Sequence, residues 1–208
     1  MLQGGKTMLD FTLEDQLLEK GFKSICGVDE AGRGPLCGPV VAAAVILPRG
    51  VEISGLNDSK KLTEKKREML FDVICEKAIA YSIAYGTVKL INQTNILEAT
   101  MHAMNQAVAS LDVAADHALI DGNIARGFSI PTTTVIHGDA ISPSIAAASI
   151  LAKVTRDRLC ADLDAEYPVY GIAKHKGYGT KDHMEALRKY GPAPIHRTKF
   201  IRFLNEDK

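Results

Sequence analysis

An apolar run, Ile25-Cys26-Gly27-Val28, stops at two adjacent carboxylates and a glycine-flanked arginine, Asp29-Glu30-Ala31-Gly32-Arg33-Gly34-Pro35. A second apolar run follows at once, from Pro39 to Leu47. Short apolar runs bounded by glycine and proline read as buried strands. The acids therefore fall where a first strand ends, and the residues after them form the loop of a hairpin. Neighbouring side chains on a strand face opposite ways. Asp29 and Glu30 can share a site only if the strand ends or bends there, which Gly32 and Gly34 permit. Two acids so close repel unless a cation or a proton lies between them. Taken alone, such a pair reads as a solvated turn, so its meaning depends on what else reaches it.

Around this hairpin the chain mixes helices and strands. Thr12 is expected to cap a short helix that Gly21 ends. Thr63 caps a helix with Met69, Leu70, Val73 and Ile74 on one face. Tyr81, Ile83 and Tyr85 alternate as a third strand ending near Gly86. A long helix is predicted from about Thr94 to Leu111, burying Leu97, Met101, Met104, Val108 and Leu111. Ala118-Leu119-Ile120 is a short buried strand ending at Asp121-Gly122-Asn123, and Thr132 to Ile136 is another, ending at His137-Gly138-Asp139. Ser142-Pro143 opens a helix that runs to about Asp164, and its small residues would let it lie close against the sheet. A loop rich in glycine and basic residues, Tyr170 to Thr180, precedes a helix that Thr180 caps and Gly191-Pro192 ends. The tail from His196 to Leu204 is expected to be partly helical.

The 208 residues, 46% of them hydrophobic, suit one domain with a true core. The longest apolar run, Val40 to Leu47, is too short to cross a membrane. The first ten residues lack the apolar centre of a signal peptide. A soluble, cytoplasmic monomer is the expectation. Formal net charge is zero, so binding to nucleic acid must come from local basic clusters or bound metal. The four cysteines, Cys26, Cys37, Cys75 and Cys160, form no C-x-x-C pair. Buried free thiols are expected, with neither a disulfide nor a zinc site.

Three predicted strands thus end in acids: Asp29-Glu30, Asp121 and Asp139. Each acid alone could mark a turn. If the strands are parallel neighbours, the acids gather at one edge of the sheet, outside the carboxyl ends of strands, where ligands bind in open α/β sheets. A carboxylate set favours hard, oxygen-loving cations, magnesium or manganese, and disfavours zinc. An all-carboxylate site with two such ions ~3.5–4 Å apart is used for phosphodiester hydrolysis.

With these residues in view, the chain resembles the bacterial ribonuclease HII family, the type 2 ribonucleases H. The matching motifs are Asp29 to Pro35, Asp58-Ser59-Lys60-Lys61-Leu62, Asp121-Gly122-Asn123, Gly138-Asp139, Ser144 to Val154, His175 to Thr180 and His196-Arg197. The resemblance implies an α/β, RNase H-like fold: a mixed central sheet flanked by helices, with a C-terminal helical appendage. It implies one catalytic domain over 1–208, of which about 168–208 form a substrate-binding extension. The implied activity is metal-dependent cutting of RNA in RNA–DNA hybrids, and 5′ of ribonucleotides embedded in duplex DNA. The implied products carry 3′-hydroxyl and 5′-phosphate ends.

The resemblance further implies that Asp29, Glu30, Asp121 and Asp139 are the catalytic, metal-binding acids for Mg2+ or Mn2+. Gly32-Arg33-Gly34 would sense the 2′-hydroxyl, which is what separates RNA from DNA. Tyr178 would pack on the sugar of the following deoxynucleotide. Lys60 and Lys61 would hold backbone phosphates, with Arg33 and Lys176 as weaker phosphate candidates. The partners implied are RNA–DNA hybrid and ribonucleotide-containing DNA, with no membrane. A sliding clamp stays open as a partner, although the tail shows no glutamine-led, aromatic-ended segment. Two residues depart from the family's habit. His137 stands where lysine is frequent and could titrate near neutral pH, and Lys199 stands where serine is frequent. The alternatives weighed are a type 3 ribonuclease H and a non-catalytic hybrid-binding module. The former lacks the Gly-Arg-Gly loop and carries an N-terminal domain for which there is no room before Leu13.

Overall fold

A computed structural model describes residues 9–206. The reading of the extreme N-terminus falls largely on 1–8, outside the described residues. The helices are α1 (Thr12–Glu19), α2 (Glu64–Lys77), α3 (Val88–Gln93), α4 (Ile96–Ala109), α5 (Pro143–Glu166), α6 (Ile172–His175), α7 (Lys181–Tyr190) and α8 (Phe203–Glu206). The strands are β1 (Ile25–Ala31), β2 (Val40–Ile46), β3 (Ala80–Gly86), β4 (His117–Asp121) and β5 (Thr132–Val135). They form one mixed sheet in the order β3-β2-β1-β4-β5. The β3-β2-β1 part is antiparallel, and β1-β4 and β4-β5 are parallel. The expected α/β sheet with flanking helices is what the chain forms.

Every residue of β2 is buried because helices cover both faces of the sheet. Ala42, Ala44 and Val28 pack toward Met101 and Met104 of α4. Ala43 and Val45 pack toward α5 and toward Leu70 and Ile74 of α2. The small residues of α5 do bring it close. A Cβ on Gly27 of β1 would lie 2.1 Å from the backbone carbon of Ser144, so only glycine fits there. Ser142 caps α5 through the Ile145 amide, with Pro143 at its start.

Some expectations need correction. Thr12 does not cap α1: it is already helical, and its amide donates to the Asp10 carboxylate at 3.0 Å. Met69 is exposed, so the buried face of α2 reduces to Leu70 and Ile74, with Val73 partly buried. The helix predicted over 94–111 forms as α4, and a short helix that was not expected, α3, precedes it. Thr87 caps α3, and Asn95, in extended backbone, caps α4. The Tyr170–Thr180 loop contains α6. Among the described residues no helix is long and apolar enough to cross a membrane.

Candidate active site

β1 does not end at the acids. Its ladder with β2 continues through Asp29↔Ala43, Glu30↔Ala42 and Ala31↔Val41. The two side chains accordingly take opposite faces of the strand, as alternation demands. What brings them together is the other edge. The β1–β4 ladder stops at Val28↔Ile120, so beyond Val28 the sheet opens into a notch between two parallel strands. Asp29 enters a cleft of about 120 Å3 with Ser59, Lys60, Ser149 and Tyr178. Glu30 lines that cleft and also a smaller one shared with Arg33 and Asp121.

Asp121 ends β4, and its Oδ1 accepts the Gly138 amide at 2.7 Å. A Cβ on Gly138 would meet Ile145 Cδ1 at 2.5 Å and Asp121 Oδ1 at 3.3 Å, so the glycine is what admits this approach. Asp139 follows in a 3-10 turn, Gly138–Ala140, and is buried. Lys60 Nζ lies 3.3 Å from Asp139 Oδ2.

The acids carry more negative charge than the protein neutralises. Burial pushes the Asp29 pKa well above the carboxylate range, and the charges of Glu30 and Asp121 add to it. Burial also raises Glu30, against Arg33, whose guanidinium is 3.4 Å away, while Asp121 pushes the same way as burial. Burial raises Asp139 against the pull of Lys60. For Lys60, burial works against the ammonium, but Asp139 and Asp29 outweigh it and the pKa rises. Among the described residues, the three-ligand group drawn within 4.8 Å is Cys37, His183 and His196, and the four acids form no such group. Within this group the two histidines are wired as a hydrogen-bonded chain. The Ala193 amide donates to His196 Nδ1 at 3.0 Å, the two Nε2 atoms meet at 3.2 Å, and His183 Nδ1 lies 3.0 Å from the Tyr178 carbonyl. Cys26, Cys37 and Cys160 are buried free thiols, and Cys75 is only half-buried.

Of the other predicted residues, Tyr178 lines the Asp29 cleft half-exposed. Gly34 faces its ring: a Cβ there would lie 3.3 Å from Tyr178 Cε1. Gly32 has φ 95°, and a Cβ on it would fall 1.9 Å from Arg156 Nε, so glycine is required on both counts. Lys61 points to Asp58 at 3.8 Å, and Lys176 to Glu64 at 3.7 Å. His137 is exposed in left-handed backbone, φ 57°, and makes no capping hydrogen bond. The cation facing Asp139 is Lys60. Lys199 donates to the Thr94 carbonyl.

Sequence reasoning missed several supports. Ser59 and Ser149 join their hydroxyls at 2.8 Å, fixing the Lys60 turn to α5. Buried Arg156 donates to the carbonyls of Lys176 and Cys37 at 3.0 and 3.4 Å. Its place on α5, beyond the matched run, gave no local signal. Arg197 stood in a matched pair but was assigned no role.

A family profile described as Ribonuclease HII matches residues 26–203. The chain belongs to the ribonuclease HII family. A ribonuclease HII from Ruminiclostridium cellulolyticum is 54% identical over 195 residues, covering 94% of this chain and 76% of the relative. The ribonuclease H2 crystal structure from Pyrococcus horikoshii superposes with TM-score 0.72 at 28% identity, covering 89% of this chain and 98% of that one. In fold alone the likeness extends to Bst-RNase HIII in complex with Mn2+, with TM-score 0.65 at 20% identity, covering 87% of this chain and 64% of that one. The chain is accordingly an endoribonuclease that hydrolyses the RNA of RNA–DNA hybrids. The type 3 and non-catalytic alternatives are thereby set aside.

Proposed function

We propose that the notch between β1 and β4 is the hydrolytic centre, and that it cuts 5′ of ribonucleotides embedded in duplex DNA as well as within hybrids, leaving 3′-hydroxyl and 5′-phosphate ends. The observation that carries this is the convergence of Asp29, Glu30, Asp121 and Asp139 at one end of the sheet, with three of them pushed toward the protonated form by burial and mutual charge. An oxygen-only set, two of its acids buried and two half-buried, with unneutralised charge suits hard divalent cations. Asp29, Glu30, Asp121 and Asp139 would hold Mg2+ or Mn2+, a pair of ions being the natural complement. When bound, such ions lower the pKa of an attacking water and stabilise charge on the leaving oxygen. The Bst-RNase HIII structure in complex with Mn2+ is in keeping with this.

The remaining roles fall to the chain's own groups. Lys60, held against Asp139, would meet a substrate phosphate at the edge of the cleft, with Lys61, Arg33 and Lys176 further along the backbone. Gly32-Arg33-Gly34 would read the 2′-hydroxyl, and Tyr178 would seat the next sugar across from Gly34. The segment from about residue 168 would serve as the substrate-binding extension of a single catalytic domain. We place the protein in the cytoplasm as a monomer acting on RNA–DNA hybrid and ribonucleotide-containing DNA.

The test is a labelled DNA duplex with one internal ribonucleotide, incubated with Mg2+ or Mn2+. The expected product is a single cut on the 5′ side of the ribonucleotide, abolished by chelator. Cutting of an all-DNA duplex at the same rate, or no cutting with either ion, would overturn the reading.

A further inference from the structure

Arg197 is fully buried, yet its guanidinium has no carboxylate partner in its hydrogen bonds. All of them go to the loop between β1 and β2. Nε donates to the Gly38 carbonyl at 2.9 Å, Nη1 to those of Arg33 and Pro35 at 2.9 and 2.8 Å, and Nη2 to that of Gly32 at 2.7 Å. The backbone on either side is tied as well. Arg197 N–H donates to the Leu36 carbonyl at 2.8 Å, and Gly38 N–H to that of Ile195 at 2.9 Å. A buried cation without a counter-ion is costly unless its protons are engaged, and the inward-turned carbonyls engage four of the five.

This arrangement fixes more than the carbonyls. In a planar trans peptide the C=O and the following N–H point in opposite directions. Drawing the Gly32 and Arg33 carbonyls onto the guanidinium therefore turns the N–H groups of Arg33 and Gly34 away from it. Among the described residues neither amide donates a hydrogen bond within the protein. They stand as oriented, unused donors on the loop whose Gly34 faces the Tyr178 ring.

We propose that Arg197 is a positioning residue for ribose selectivity: it holds the carbonyls of Gly32 and Arg33 inward, and so presets the Arg33 and Gly34 amides to donate to a 2′-hydroxyl oxygen. This rests on the reading of Gly32-Arg33-Gly34 as the 2′-hydroxyl sensor. Lysine cannot replace Arg197, because one nitrogen on a flexible stem does not span carbonyls that the planar fork reaches together.

The test measures binding in the Asp121→Asn background, where the substrate stays intact. Kd is compared for a duplex with one ribonucleotide and for the same duplex as all DNA. Arg197→Lys is expected to cut the preference for the ribonucleotide about tenfold, the loss of two modest hydrogen bonds, while affinity for the all-DNA duplex holds. Gly34→Ala, which narrows the gap to Tyr178, is measured beside it. An unchanged preference in a folded Arg197→Lys protein, with a reduced one in Gly34→Ala, rejects the role of Arg197 and leaves the sensor standing. No change in either variant rejects the sensor itself. Should Arg197→Lys not fold, amide hydrogen exchange on the Asp121→Asn protein decides. The Arg33 and Gly34 amides should exchange freely without substrate and become protected by the ribonucleotide duplex, not by all DNA. Slow exchange in the free protein, or equal protection by both duplexes, overturns the proposal.

Discussion

At Asp29 the metal-binding role proposed above and the stability of the fold pull apart. It is buried on a strand, and burial, Glu30 and Asp121 all oppose its charge. Its Oδ1 accepts the Glu30 amide at 2.7 Å, a bond that an asparagine carbonyl can also accept. In metal-free protein, Asp29→Asn is therefore expected to abolish hydrolysis and to raise the melting temperature by about 2–4 °C, the effect of roughly 1 kcal/mol in a chain of this size. A thermal scan in chelator checks it, and a lower melting temperature would assign Asp29 to the fold. Gly138 makes the opposite case. An added methyl would meet Ile145 Cδ1 at 2.5 Å and crowd Asp121. Gly138→Ala should cost about 1–3 kcal/mol by overpacking and lower activity with it, as urea unfolding and a cleavage assay on one preparation would show.

Among the elements, the C-terminal segment carries a pH signature. Burial, with the His183 charge adding, lowers the His196 pKa to about 4, and burial lowers His183 too. Unfolded histidine titrates near 6.5, so the unfolded chain takes up the proton first. The contribution of His196 is complete above about pH 6.5 and is lost as pH falls toward 4, by on the order of 3 kcal/mol in all. Urea midpoints measured across that range should fall for the natural chain and fall less for His196→Gln. Legibility also divides by element. The hairpin, the α5 cap and Asp121 at the end of β4 were readable because glycine, proline and apolar runs are local signals. The helix α3 was not: its six residues are too few to show a helical stripe, and its start is marked only once the Thr87 hydroxyl is seen accepting the Leu90 amide. Nor was the way the acids meet. A strand ending at Asp29-Glu30 was the local inference, whereas the notch arises from where β1 stops pairing with β4, a fact of tertiary register. Arg156 and Arg197 were illegible as supports because their partners are backbone carbonyls, which no sequence pattern marks.

At the scale of the whole molecule, the charge at the notch should link folding to ions. A divalent cation that binds only the folded chain should stabilise it by about 3 kcal/mol at a hundred times its dissociation constant. Adding Mg2+ or Mn2+ should raise the melting temperature, and Asp139→Asn should blunt the rise. Equal rises in the natural chain and the variant would place the ion elsewhere. The tie between Arg197 and Gly32 spans 165 residues, and this has a consequence for the order of events on the ribosome. At about 5–20 residues per second, Gly32 waits roughly 10–30 s for the residue that orients its loop. By then Asp29, Glu30, Asp121 and Asp139 have all been synthesised. A chain broken off between Asp139 and Arg197 carries every acid of the notch but lacks the fork that sets the loop beside it. On the roles proposed above, a nascent chain therefore completes its metal-binding acids before the means of choosing where to cut.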